Sequence, residues 1–327
     1  MCASDTSTGF EGFLLVFLEK PVCSSTNLQG LFSMKKQMIA AAVLAVIGTS
    51  AAWAAPAGGS STPGNVQPGT SDFPNLPIAP NGYAGLAMKR NDGVLSKTIP
   101  LRAPVNLAIG AATANTNGTY IAGIPILMPN IAQVWRTNTS YNATAETFSL
   151  RQLSYPTAAN WPHFGGLVIG RVAGTGDTNG VYFGEWSPAR TGGALPAPST
   201  DLNMGSSGRT VWYVGDNPTT SMPTLANVTY NVVGIRGVGT SAGNQPYAPA
   251  LYTGALVANY AGGSGTITGS IVRGSDSVNF AGTSIAAAGT FSNGSTIQGR
   301  FYNNANALAG IYTGGGAGGN VAFGGRR

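Results

Sequence analysis

From residue 209 to the C-terminus, apolar and polar positions alternate in short runs, broken by Gly, Asn, Asp and Ser. A period of two puts successive side chains on opposite faces of a strand. The runs 210–214, 228–235, 251–260, 266–273, 277–281, 286–291, 296–302, 308–312 and 320–323 therefore predict strands. Short strands at regular spacing with turn residues between them build sandwiches or barrels. Within 296–302, Ile297, Gly299 and Phe301 share one face, while Gln298, Arg300 and Tyr302 share the other. Many inward positions are Gly or Ala, which suits a small tapered barrel. Closing the sheet also removes edges that a weakly charged chain protects poorly. The prediction for this half is an antiparallel barrel of about eight strands.

Upstream the pattern is less regular. Between 81 and 205, β-like runs such as 120–127 and 166–172 alternate with Gly, Pro and Asn, and no window of helical period is read. Residues 55–80 are rich in Pro, Gly, Ser and Thr with a single charge, Asp72, and predict a flexible, partly extended segment. The proline-rich stretch 194–198 reads as a linker. The expected fold is all-β: an N-terminal β-rich ligand-binding domain, 81–205, followed by an eight-stranded antiparallel β-barrel, 206–327.

Residues 34–54, MKKQMIAAAVLAVIGTSAAWA, carry a different pattern. A start-like Met34, two lysines, an apolar run over 38–47 and a small-residue end, Ala52-Trp53-Ala54, have the layout of a secretory signal peptide. The run is shorter than the ~20 residues that span a bilayer. Cleavage after Ala54 leaves a chain beginning Ala55-Pro56. Residues 1–33 then read as an upstream extension of the gene start. The rival reading is a long leader with a second apolar patch, 13–18, flanked by Glu11 and Glu19.

Composition narrows the function. Only 9% of residues are charged while 43% are apolar, which excludes coiled coils and charge-rich disorder. Both cysteines, Cys2 and Cys23, precede the predicted cleavage point. The mature chain thus has no disulfide, thiolate site or lipid-accepting cysteine, and no lipid anchor is expected. Lys20, Lys35, Lys36, Asp5, Glu11 and Glu19 also fall in the leader, so the charge of +6 is unchanged by cleavage. Basic residues are scattered in the mature chain, with Lys89-Arg90 and Arg326-Arg327 the adjacent pairs; nucleic-acid binders cluster them, and no nucleic-acid partner is expected. Enzyme signatures are missing. Gly174-Thr175-Gly176-Asp177 lacks the Lys-Ser/Thr of a phosphate loop, there is no G-x-S-x-G elbow, and the acids are scattered. The chain is expected to be a binding protein, not an enzyme.

The C-terminal segments Gly299-Arg300-Phe301-Tyr302, Ala307-Leu308-Ala309-Gly310-Ile311-Tyr312 and Val321-Ala322-Phe323-Gly324-Gly325-Arg326-Arg327 resemble the last strands of the transferrin-binding-protein-B type of barrel. Asn303 after the tyrosine and Ala307 in place of a common acid depart from that pattern. Through Asn81-Gly82-Tyr83-Ala84-Gly85-Leu86 and Val181-Tyr182-Phe183-Gly184-Glu185-Trp186, the mature chain is similar to the hemophilins, the small secreted haem-binding branch of the Slam-dependent family. The resemblance implies passage through the periplasm of a Gram-negative bacterium and export by a Slam outer-membrane translocon. It further implies haem as cargo, and delivery to a TonB-dependent outer-membrane receptor.

Haem requires an axial donor, an apolar slot and partners for its propionates. Asn160-Trp161-Pro162-His163-Phe164-Gly165-Gly166 sets the sole imidazole of the chain between two aromatics. His163 is the candidate iron ligand, with Trp161 and Phe164 near the porphyrin. Tyr83, in a glycine-rich loop, is a candidate second ligand, and Lys89, Arg90 and Arg102 are candidate propionate partners. Tyr182 and Trp186 fall on one strand face and read as pocket wall or as core. A lone loop histidine is also compatible with an ordinary polar role, and some hemophilins clasp iron with two histidines, which this chain cannot do. The same residues allow a second function, binding of a host protein or a role in colonisation, and a third, carriage of another metal chelate.

Overall fold

The computed structural model describes residues 54–327 except 75–78, 122–130, 138, 156–159, 193–198, 241 and 316–318. The described residues all belong to one unit, Trp53–Arg327. The upstream extension, the signal segment as far as Trp53 and the proline-rich linker at 194–198 lie outside them, as does most of the predicted strand 120–127.

The chain opens with β1 (Ala57–Ser60), then β2 (Val66–Thr70), β3 (Ala84–Met88) and β4 (Ile99–Pro100), which form a small three-stranded sheet. Helix α1 (Arg102–Ala111) follows. Next come β5 (Thr119–Ile121), β6 (Ala132–Arg136), β7 (Ala145–Gln152), β8 (Gly166–Val172), β9 (Val181–Ser187) and β10 (Thr210–Gly215). These join β1 in a seven-stranded antiparallel sheet ordered β1-β10-β9-β8-β7-β6-β5.

The second half consists of β11 (Leu225–Ile235), β12 (Tyr252–Ala261), β13 (Ser264–Arg273), β14 (Asp276–Asn279), β15 (Thr283–Ala286), β16 (Thr290–Asn293), β17 (Ile297–Tyr302), β18 (Ala307–Tyr312) and β19 (Val321–Arg326). β11 pairs with both β12 and β19, and β13 pairs with β12 and β15, so eight antiparallel strands close into a barrel. β14 adds to the far half of β13. The predicted barrel is therefore present. Its interior is solid: Tyr230, Val232, Leu256, Ile267, Phe291, Ile297, Phe301, Leu308 and Phe323 fill it. A Cβ on Gly299 would stand 2.2 Å from Phe291 Cζ, and one on Gly310 would stand 2.7 Å from Phe323 Cζ. The inward glycines leave room for rings.

Both faces of the seven-stranded sheet are covered. On one face Phe148, Leu150, Leu167, Ile169, Tyr182, Trp186, Trp212 and Val214 pack under Leu86, Met88, Leu101, Val105 and Ala108 of the small sheet and α1. On the other, Val168, Val172, Val181, Phe183, Val211 and Tyr213 pack against Val233, Ile235, Ala307, Ala309, Ile311 and Ala322 on the outside of the barrel. A fully buried ion pair of the sheet sits at this junction: Glu185 accepts from Arg209 Nε at 2.7 Å and, across the junction, from the backbone N–H groups of Gly237 and Val238, each at 2.7 Å.

Four expectations need correction. The strand predicted at 210–214 belongs to the first sheet, and the barrel starts at Leu225, not at 206. Segment 55–80 holds β1, which pairs with β10, and β2, which pairs with β3, because glycine-rich backbone can still form ladders without side-chain patterning. Residues 102–111 form a helix with Pro104 in its first turn, where a missing N–H costs nothing. The run 286–291 is two strands, reversed at Gly289, whose φ of +74° suits glycine.

Candidate functional site

His163 lies in the loop between β7 and β8, and its backbone is held on both sides. The Gln152 side chain at the end of β7 donates to the Pro162 carbonyl at 3.1 Å and accepts from the Phe164 N–H at 2.8 Å. The His163 carbonyl accepts from Trp186 Nε1 at 3.3 Å. The imidazole is buried, and its Nδ1 accepts the Asn91 N–H at 3.2 Å.

Asn91 sits at the tip of a hairpin pinned by the Lys89–Leu95 bridge and by the Arg90 N–H to Val94 carbonyl bond at 2.9 Å. Asp92 turns this tip: its carboxylate accepts the Val94 N–H at 3.1 Å and pairs with Arg90 at 2.8 Å. The Val94 bond, then Arg90 and the nearby His163, hold the Asp92 carboxyl below the usual range.

The Tyr155 ring stands 5.6 Å from the imidazole at an angle of 46°. Its hydroxyl accepts the Arg190 N–H at 3.3 Å, and burial pushes the phenol up. Arg190 pairs with Asp201, which also caps the Asn203 N–H at 2.8 Å. Arg151, 2% exposed, feels the charges of Tyr120, Arg190, Asp201 and Tyr155, and burial pushes its guanidinium down. The imidazole and the phenol thus lie in a neighbourhood that also holds Arg90, Arg151 and Arg190 and two carboxylates, Asp92 and Asp201. Two of these cations are matched by a carboxylate, Arg90 by Asp92 and Arg190 by Asp201.

The other predicted site residues divide. Trp161 stays near, half-buried and edge-on to Phe73 at 5.2 Å. A groove of about 350 Å³ along Leu95, Ser96, Lys97, Thr98 and Asn160 runs beside this loop. Phe164, Tyr182 and Trp186 are core: they are 7%, 2% and 1% exposed and pack in one cluster. Tyr182 and Trp186 do share a face, but β9 is a central strand with both faces covered, so neither walls an open slot. Burial raises the Tyr182 phenol well above its ordinary value, so it is a neutral phenol and not a phenolate.

Tyr83 is elsewhere, under the Arg102 guanidinium at 4.2 Å, and lines a cavity of about 450 Å³ with Asp216. Arg102 also donates to the Asp177 carbonyl at 3.0 Å, so it serves Tyr83 and not the histidine. Lys89 is exposed on the hairpin. Sequence reasoning missed Tyr155, Arg151 and Arg190. Closeness in sequence is the one signal that links two of them to His163: Arg151 lies near the end of β7 and Tyr155 just after it.

Among the described residues no cluster of three or more His, Cys, Asp or Glu is arranged for a metal ion, and no helix is long and apolar enough to cross a membrane. No protein-family model matches the chain. Among solved structures, the chain has a weak likeness to the crystal structure of the isotype 1 transferrin binding protein B (TbpB) from serogroup B Neisseria meningitidis. The identity is 14% and the TM-score 0.24, over 80% of this chain and 52% of that one. The chain spans about half the length of that protein.

Proposed function

We propose that the protein is a secreted carrier of haem, a hemophore that takes up its cargo at His163 and releases it, without bond chemistry, to a TonB-dependent outer-membrane receptor. Export through a Slam translocon belongs to the same reading. The observation that carries it is the meeting of the sole imidazole with Tyr155, backed by Arg151 and Arg190. An imidazole supplies an axial ligand, a phenol a second one or a hydrogen bond, and guanidiniums suit propionates. The barrel supports this reading by being full: a ligand must bind in the loops.

The imidazole is closed over by Asn91, so uptake requires the 89–95 hairpin to move. That closure favours a second reading, contact with a host protein, in which His163 stays shut.

A hemin titration followed in the Soret band separates the two. Saturable one-to-one binding is expected, with His163→Ala weakening it at least tenfold, or ~1.4 kcal/mol. The variant is expected to fold, because Gln152 and Trp186 grip backbone atoms that alanine retains. Unchanged affinity and spectrum in His163→Ala would remove the histidine from the site, and no binding by the folded wild type would leave the host-protein reading.

A further inference from the structure

β1 and β10 run antiparallel with Ala57 opposite Gly215. This pair is the end of the ladder: Pro56 precedes Ala57 on one strand and Asp216 follows Gly215 on the other. Pro56 has no N–H, so ladder pairing cannot extend through it. Ala55, Pro56, Tyr83, Thr178, Asp216 and Asn217 line the 450 Å³ cavity.

Asp216 is 5% exposed. Its Oδ1 accepts the Ala84 N–H at 2.8 Å and its Oδ2 the Gly180 N–H at 3.1 Å, which leaves acceptor capacity on both oxygens. Among the described residues it makes no ion pair. Arg102 is the cation whose charge reaches it, and that guanidinium is engaged by the Tyr83 ring and the Asp177 carbonyl. Burial pushes the Asp216 carboxyl up to about 6. A buried carboxylate without a counter-charge is costly, and a cation brought into its cavity relieves that cost.

We propose that this cavity is the docking site for the chain's own new N-terminus, where an α-ammonium at Ala55 pairs with Asp216. The proposal rests on the cleavage after Ala54 that the sequence predicts. In that step an export endopeptidase adds water across the Ala54–Ala55 amide. The C–N bond breaks, the Ala54 carbonyl leaves with the leader as a carboxylate, and the Ala55 nitrogen takes up protons to become an ammonium. Before hydrolysis the same nitrogen is a neutral amide and cannot pair. Afterwards it fastens the start of β1 to the end of β10. Tyr302 of the barrel already donates to the Ala57 carbonyl at 2.8 Å, so docking also tightens the outermost strand of the sheet onto the barrel. Maturation thereby completes the fold.

The test compares the secreted product of the full chain with that of a chain carrying Gly-Ser inserted between Ala54 and Ala55. The insertion moves the ammonium two residues from Asp216 and leaves 55–327 intact. The native product is expected to begin at Ala55 by mass and to melt about 3 °C higher than the extended one. Its α-amine is expected to react at least tenfold more slowly with a small acylating reagent. In Asp216→Asn the difference in melting is expected to vanish. Cleavage at another bond, equal melting, equal acylation rates, or a difference that persists in Asp216→Asn would each overturn the proposal.

Discussion

Within the junction of sheet and barrel one aromatic ring sits in a glycine hole, and this contact can be tested directly. Phe183 is fully buried between Gly170 of its own sheet and Gly324 of β19. A Cβ at Gly324 would stand 2.4 Å from Phe183 Cδ1 and 2.6 Å from Cε1. The ring cannot retreat, because a Cβ at Gly170 would stand 2.5 Å from its Cζ on the other side. Gly324 has no positive φ, so Gly324→Ala adds a methyl group and no backbone strain. Overpacking of this kind costs about 2 kcal/mol, which lowers Tm by about 5 °C in a unit of this size. Thermal and urea melts of Gly324→Ala, Phe183→Leu and the double variant measure it. In the Phe183→Leu background the Gly324→Ala cost is expected to fall below ~0.5 kcal/mol, since the clashing ring is gone. Wild-type stability in Gly324→Ala, or an equal loss in both backgrounds, would refute the argument that the halves interlock here.

Two further outcomes follow from buried charges. With no ammonium at Ala55, as in the Gly-Ser-extended chain, Asp216 makes stability fall with rising pH. The folded carboxyl at about 6 lies above its ordinary 3.8, so the contribution is full below 3.8 and is lost as pH passes 6. That gap corresponds to ~3 kcal/mol; the groups facing Asp216 are Arg102, which favours ionisation, and the neutral Tyr182 and Tyr302. Asp216→Asn should flatten the curve between pH 4 and 7, and parallel curves would sink the assignment. Glu185→Ala strands the buried Arg209 charge and unpairs the Gly237 and Val238 amides, so a loss of about 3–5 kcal/mol is expected in urea melts. A loss under ~1 kcal/mol would show that water reaches the pair.

The barrel was legible because its rule is local. In β17 the alternation of Ile297, Gly299 and Phe301 with Gln298, Arg300 and Tyr302 separates interior from exterior, as the structure has it for Ile297 and Phe301 against Tyr302. Sheet membership is not local. Thr210–Gly215 reads as a strand in either half, and pairing with β9 and β1 alone assigns it to the first sheet. Helix α1 escaped because RAPVNLAIGA has no charge in its remaining turns, and a proline and a glycine blur its period. His163 was conspicuous as the sole imidazole. Its neighbours were not: Arg190 reaches Tyr155 from beyond β9, 35 residues away, through strand pairing that no spacing encodes.

The closed hairpin bears on how a carrier at this site would hold and release its cargo. With Asn91 donating to Nδ1, the neutral imidazole carries its proton on Nε2. Iron at Nε2 needs the other tautomer, and iron at Nδ1 needs the same lone pair, so either mode breaks the Asn91 bond. A bond worth about 1 kcal/mol lowers the apparent affinity about fivefold while the hairpin is shut. On the proposed reading this contact is a competitor built into the fold. It concedes the imidazole when haem enters and reclaims it when a receptor draws haem away. The rigid parts cannot serve that purpose, because the barrel interior and both sheet faces are filled. On that reading exchange falls to the loops at the end of β7, where His163 is fixed by its backbone and covered by the 89–95 hairpin.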